Sequence, residues 1–246
     1  LSSIYLTQQA IEPIKQSLQK LKQFTADASH ELRNPLTRIS LATEMILSIT
    51  EQVSPLDSKE LSIISRSADQ MQRLIEDLLF LARTEITPIP GTEFNGFVAS
   101  LNDLLQALIE QFELQAHSKS ITFKVNLAPD LSVKGDTVQL ERLFSNLLEN
   151  AIKYTLLGGN ITISMRRVKL QAIVSVEDTG IGIPAECQPM VFQRFWRSDQ
   201  ARIQQQEGLG LGLAIAQAIA KQHGGEIIVS SQEGVGSLFQ VRLPIL

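Results

Sequence analysis

Only one cysteine, Cys187, occurs in the 246 residues. A lone thiol closes no internal disulfide and builds no cysteine metal cluster, so a reducing, cytosolic setting is the expectation. No apolar run reaches the length of about 18 residues that a transmembrane helix needs, so no membrane contact is expected within this chain. No charged–apolar–small leader opens it; the chain begins at Leu1 rather than Met and reads as a fragment or a processed piece. Basic excess is also missing. The 22 Lys and Arg face 26 Asp and Glu, a net charge of −4 that leaves no large basic face for nucleic acid. Aromatic residues are 5% of the chain, which points to a core of Leu, Ile, Val and Ala such as long helical seams use. What is present is ordinary: 43% hydrophobic residues argue against disorder and against a fibrous repeat. At ~100–200 residues per domain, the length allows one large domain or two modest ones.

The two ends of the chain have different periods. Over residues 4–50, apolar side chains recur at Ile11, Ile14, Leu18, Leu21, Ala28, Leu32, Ile39, Met45, Ile46 and Ile49, the spacing of a helical seam. Residues 50–58 interrupt it with Pro55 and cap-type residues, which predicts a turn. Leu61, Ile64, Ala68, Met71, Leu74, Leu78 and Leu81 then resume the pattern over 59–86. A hairpin of two long helices follows from this. Two helices alone bury too little surface to be stable, so pairing with a second hairpin into a dimeric four-helix bundle is expected. Residues 87–95, with two prolines and a glycine, read as a linker between domains 1–86 and 96–246. Beyond it, helical periodicity covers 97–117 and 137–155, and strand patterns cover 121–127, 160–167, 171–177, 226–231 and 237–243. The mixture predicts an α/β sandwich of α+β type, one sheet with helices on one face.

His30 sits two positions from both Ala28 and Leu32, so it points away from the seam. A solvated surface histidine is the plain explanation of that position alone. Its neighbours argue for more. Asn34, four residues on, shares its face, and Glu31 is adjacent. Pro35 crowds the turn and removes a donor, which bends the helix beside His30. An exposed imidazole next to a carboxylate and a kink is a reasonable nucleophile. The run His30-Glu-Leu-Arg-Asn-Pro-Leu resembles the H-box of two-component sensor histidine kinases. That resemblance implies that His30 accepts the γ-phosphoryl group of ATP and that Glu31 is the general base. It also implies that Asn34 supports hydrolysis of the phosphorylated partner.

The other domain carries further polar constellations. A helix opening at Asp136, with Gln139 three residues later, has a cap signature. Along it Asn146, Asn150, Lys153 and Tyr154 project to one side, an arrangement that a solvated stripe explains well for Lys153 and poorly for the paired amides. It offers Mg²⁺ an amide ligand at Asn150 and phosphates a cation. A strand then runs into Asp178-Thr-Gly180-Ile-Gly182-Ile183, where two glycines permit close backbone approach. Gly208-Leu209-Gly210-Leu211-Gly212 precedes another helix, whose first N–H groups form an anion site. A dinucleotide fingerprint would need glycine at Leu213 and a strand before it, and no P-loop is present.

Together these runs resemble the N-box (Asn146 to Tyr154), G1 box (Asp178 to Gly182), F-box (Phe192 to Phe195) and G2 box (Gly208 to Gly212) of the histidine-kinase ATP-binding domain. With the H-box, the resemblance covers about residues 15–246. It implies Asn150 on Mg²⁺, Lys153 on phosphate, Asp178 on the adenine amino group, Tyr154 near the base, and Ser237 assisting at adenine. Residues 185–207 become a lid, with Arg194 and Arg197 as weaker phosphate contacts. Leu209 departs from the family, which has Thr or Ser there; backbone contacts survive the change and a hydroxyl contact does not. The implied cofactors are ATP and Mg²⁺. The implied partners are a second copy of the chain and the aspartate of a response-regulator receiver domain, with this chain at the cytoplasmic end of a sensor whose full length is membrane-tethered. A mainly phosphatase protein, a non-catalytic scaffold and a gyrase- or Hsp90-type ATPase are the alternatives; the hairpin bearing His30 argues against the last. His117 reads as a solvated helix end. His223, before Gly224-Gly225, reads as a cationic helix stop.

Overall fold

The computed structural model describes residues 36–37, 39–46, 55–86, 98–128, 131–197 and 209–246, with side chains from 61 to 84 in the second of the helical segments. The chain divides into two compact units, Leu1–Thr87 and Pro88–Leu246. His30, Glu31, Asn34, Gly208 and the 87–95 linker lie outside the described residues.

In the first unit, residues 36–37 and 39–46 are helical, and helix α1 runs Pro55–Ile86. The turn expected over 50–58 therefore gives way to helix at Pro55, four residues early. Proline is well suited to the first helical position, where its missing N–H would have no partner and its φ is already helical. The two helical segments meet where Ser40 Oγ donates to Asp69 Oδ1 at 3.2 Å. Leu36, Thr43, Ala68 and Leu81 are buried, whereas the seam residues Ile39, Met45, Ile46, Ile64 and Met71 are exposed.

The second unit is built on a five-stranded sheet. Its strands are β2 (Thr122–Leu127), β4 (Asn160–Val168), β5 (Gln171–Asp178), β6 (Glu226–Gln232) and β7 (Gly236–Pro244), in the order β2-β4-β5-β7-β6. The β2–β4 pair is parallel and the others antiparallel. Register aligns Ile163, Val176 and Phe239 in one row and Met165, Val174 and Val241 in the next, all buried apart from the sheet edges. Helices α2 (Leu101–Ser118), α3 (Thr137–Tyr154) and α4 (Gly212–Gln222) cover this apolar face. The opposite face carries Thr162, Ser164, Ser175, Glu177 and Gln240, with Gln240 Nε2 donating to Ser175 Oγ. Period-two alternation is thus what makes the sheet one-sided.

Helix α2 starts later than its periodicity predicts. Val98–Ser100 is instead strand β1, paired antiparallel with β3 (Ser132–Lys134) in a two-stranded ribbon. Ser100 ends the strand and caps the helix, its Oγ accepting from the Asp103 N–H. Helix α3 begins as expected at Asp136, whose Oδ1 accepts from the Val138 and Gln139 N–H groups.

His223 ends α4, as the sequence predicts, but as a buried neutral ring and not as a cation. It is 3% exposed, and burial lowers its pKa below 6.5 despite opposing effects of the Ile219 carbonyl and Asp136. Its Nδ1 donates to the Ile219 carbonyl at 2.8 Å, and its Nε2 accepts the Asp136 N–H at 3.2 Å. The ring is neutral, because a cationic imidazole could not accept that N–H. It ties the end of α4 to the cap of α3. Replacing His223 with Phe is expected to destabilise this unit by about 2 kcal/mol at pH 7.5, since it leaves the Asp136 N–H unsatisfied. A depressed folded-state pKa makes the wild-type contribution present above 6.5 and lost as pH falls toward the folded value. The gap between the two proteins should therefore narrow below pH 6.5, as read by urea unfolding of the only tryptophan, Trp196.

Candidate functional site

Helix α3 carries one wall of the site. Its buried residues Leu140, Leu143, Phe144, Leu147, Leu148, Ala151 and Ile152 face the sheet. Asn146, Asn150, Lys153 and Tyr154 flank that stripe and are half-buried. Asn146 Nδ2 donates back to the Arg142 carbonyl at 2.8 Å, which turns its Oδ1 toward Gly212 at the start of α4. A Cβ on Gly212 would press on that oxygen, so the amide and the helix start are held together only because residue 212 is glycine. No side chain caps α4, and its first N–H groups keep their capacity for an anion. Gly210, Leu211 and Leu209 lead into this start, with Leu211 buried and the Gly210 carbonyl accepting the Phe195 N–H at 2.9 Å.

At its other end α3 is closed by Lys119. The ammonium donates to the Ile152 and Lys153 carbonyls at 2.9 and 3.1 Å, satisfying groups that a helix terminus leaves unpaired. The adjacent Lys153 Nζ lies 5.1 Å from the centroid of the Tyr154 ring. Burial pushes the Tyr154 phenol up, against a smaller opposing effect of Arg197.

Strand β5 delivers the carboxylate. Asp178 is its last residue and is only 6% exposed. Its Oδ1 accepts the Gly180 N–H at 2.8 Å, and the backbone of its register partner Ser237 also bonds it. Burial nevertheless dominates and raises its pKa to about 6, with Glu177 adding to the rise. The chain then turns back along α3 and the β6–β7 hairpin. The Ile181 N–H donates to the Tyr154 carbonyl at 3.2 Å, and Gly182 has φ +69 with no room for a Cβ beside the Gln232 carbonyl. The close approach permitted by these glycines is thus made, in the protein itself, to its own backbone.

Tyr154, Asp178, Gly180, Gly182, Ile183 and Ser237 form one cluster; Asn146, Leu209, Gly210, Leu211 and Gly212 form a second, with Asn150 and Lys153 on the helix that joins them. Lys119, Gln188 and Ser231 escaped the sequence reading. Gln188 Nε2 donates to the carbonyls of Ile183 (3.2 Å) and Ser231 (2.7 Å). The signal for Ser231 was the hairpin itself: a three-residue connection around Gly234 places it opposite Ser237. His117 is exposed at the end of α2, as a solvated terminus should be.

The donor set suits a nucleotide. Buried acceptors lie at one end and helix-start N–H groups at the other, the polarity required by an amino-bearing base and a polyphosphate. Among the described residues no group of three His, Cys, Asp or Glu side chains could hold a metal ion.

Residues 20–86 match the family model "His Kinase A (phospho-acceptor) domain", and residues 135–246 match "Histidine kinase-, DNA gyrase B-, and HSP90-like ATPase". Sensor histidine kinase RppB of Synechocystis is 41% identical over 242 residues, covering 96% of this chain and 52% of that one. The catalytic domain of histidine kinase ThkA superposes with a TM-score of 0.53 at 30% identity, over 60% of this chain and 94% of that one. Full-length ShkA in complex with AMPPNP superposes with a TM-score of 0.76 at 25% identity, over 91% of this chain and 46% of that one. The chain spans about half the length of the curated relatives it matches. With a phosphoacceptor hairpin followed by an ATPase-type sandwich, it belongs to the two-component sensor histidine kinases.

Proposed function

We propose that this chain is the ATP-dependent protein-histidine kinase core of a sensor, which phosphorylates His30 and passes the group to an aspartate on a response-regulator receiver domain. The observation that carries this is the buried Asp178 carboxylate, whose following turn meets α3 at Tyr154, together with an uncapped helix start beside Asn146, on a chain that also holds the His30 box. The AMPPNP bound to ShkA supports ATP as the nucleotide.

Asp178 accepts from the adenine amino group, Ser237 assists beside it, and Tyr154 borders the base. The backbone of Gly180, Gly182 and Ile183 lines that end. Lys153 draws the phosphates along α3, and N–H groups from Gly208 to Gly212 receive them, with Asn146 setting the position of Gly212. Asn150 would hold Mg²⁺, which would neutralise phosphate charge when bound. Leu209 contributes backbone only. A ring nitrogen of His30 attacks the γ-phosphorus as the bond to the bridging oxygen breaks; ADP leaves with that electron pair, and Glu31 takes the imidazole proton. A carboxylate oxygen of the receiver then displaces the imidazole from phosphorus. The bulk of the catalysis is positioning and charge neutralisation.

Two copies of the chain pair through their hairpins. The apolar side chains of Ile39, Met45, Ile46, Ile64 and Met71, exposed in a single chain, support this. No described helix is long and apolar enough to cross a membrane. The use of ATP places the chain in the cytoplasm, as part of a longer sensor. The test of the kinase reading is incorporation of label from γ-labelled ATP into a bond that is lost in acid and retained in alkali. Asn34, four residues after His30, also supports a phosphatase activity toward the regulator. Asn34→Ala should slow decay of the phosphorylated regulator at least about tenfold while leaving autophosphorylation within about twofold, read by following regulator label over time.

A further inference from the structure

Ser231 lies across the β6–β7 hairpin from Ser237 and has no part in the reading above. Its hydroxyl has three neighbours. Ser231 Oγ is 2.8 Å from the Gly236 carbonyl oxygen, 2.8 Å from the Ile183 nitrogen and 3.0 Å from Ser237 Oγ. A hydroxyl brings one proton and two lone pairs. The Gly236 carbonyl can only accept, so the Ser231 proton goes there. The Ile183 N–H takes one lone pair. The contact with Ser237 then exists only if Ser237 donates its own proton to Ser231.

The proton of Ser237 is thereby committed to the hairpin. Its oxygen retains lone pairs alone, beside the carboxylate of its register partner Asp178. We infer that Ser231 is a positioning residue for base selection, fixing the Ser237 hydroxyl so that the Asp178–Ser237 end of the site is an acceptor-only surface for an exocyclic amino group. This rests on the placement of adenine at Asp178. A carbonyl in the same place would meet oxygen lone pairs with no donor, a mismatch that binding sites reject strongly. Without Ser231, the Ser237 hydroxyl rotates and can donate to a carbonyl. The same serine holds the loop that follows Asp178. The Ile183 peptide is gripped at its N–H by Ser231 and at its carbonyl by Gln188, which also binds the Ser231 carbonyl. Gln188 therefore supplies a comparison, because its loss loosens the loop and leaves the hydroxyl pair in place.

The experiment measures affinities of the full chain for ATP and for inosine triphosphate, which carries a carbonyl where ATP has the amino group. Wild type should prefer ATP. In Ser231→Ala the ratio of the two affinities should shrink about fivefold or more, and Ser231→Thr should restore it. Ser231→Cys, with a poorly accepting thiol of similar size, gives the same reading if the alanine variant does not fold. Gln188→Leu should weaken both nucleotides and keep the ratio. An unchanged ratio in the alanine and cysteine variants, even with both affinities lowered, overturns the inference, as does an equal narrowing in Gln188→Leu. A wild-type chain that binds ATP without preferring it overturns the adenine placement itself.

Discussion

Asp178→Asn should make the ATP-binding unit more stable while depriving it of its nucleotide. The folded state holds this carboxyl at a pKa of about 6 against an ordinary 3.8, chiefly through burial. A raised carboxyl pKa means that folding is unpenalised below pH 3.8, loses stability as pH rises through the interval, and bears the full penalty above about 6. At 1.36 kcal/mol per unit the shift corresponds to about 3 kcal/mol. The amide has nearly the same shape and no charge. It accepts the Gly180 N–H through Oδ1 but cannot accept a second N–H through nitrogen, which reduces the expected gain to about 1–3 kcal/mol at pH 7.5. Around pH 5 the advantage should fall to about half. Affinity for ATP should drop about 100-fold, because an amide N–H then faces an amino N–H where a charged acceptor stood. Urea unfolding followed at Trp196, with and without ATP, reads both quantities. A variant less stable than wild type at pH 7.5 contradicts the account of a buried, penalised carboxylate kept for binding.

That trade explains why parts of the site could be read directly from the chain. Asp178 stands at the end of a largely apolar strand, followed by two glycines, and this local break in pattern survives without any knowledge of the fold. The paired amides on α3 were legible for the same reason: helical spacing alone puts Asn146 and Asn150 on one flank. The five longer or better-patterned strands announced themselves through period two, whereas β1 and β3, at three residues each, are too short to show a period. His223 reads as a cationic helix stop because the Gly-Gly after it fits that pattern. Its burial depends on Asp136, 87 residues away, and no local rule reveals such a contact. Ser231, Gln188 and Lys119 were hidden in the same way. Each acts through backbone groups of distant segments, so its importance comes from register and topology rather than from its own neighbours in sequence.

The second large effect concerns His30, where the chemistry converges. Glutamine keeps a polar side chain at position 30 and supplies no nucleophilic ring nitrogen. Label incorporation from γ-labelled ATP should fall at least about a thousandfold, since no other group would then be placed for in-line attack on the γ-phosphorus. Binding of ATP should stay within about twofold, because Asp178, Lys153 and the α4 start belong to the other unit. Mixed dimers with a chain unable to bind nucleotide would then show whether the group moves within one subunit or between two. The most direct measurement is acid-labile labelling of wild type beside His30→Gln under saturating Mg-ATP. Labelled wild type, unlabelled variant and equal nucleotide binding are the expected result, and acid-labile label on the variant would contradict the assignment of His30 as the phosphoacceptor.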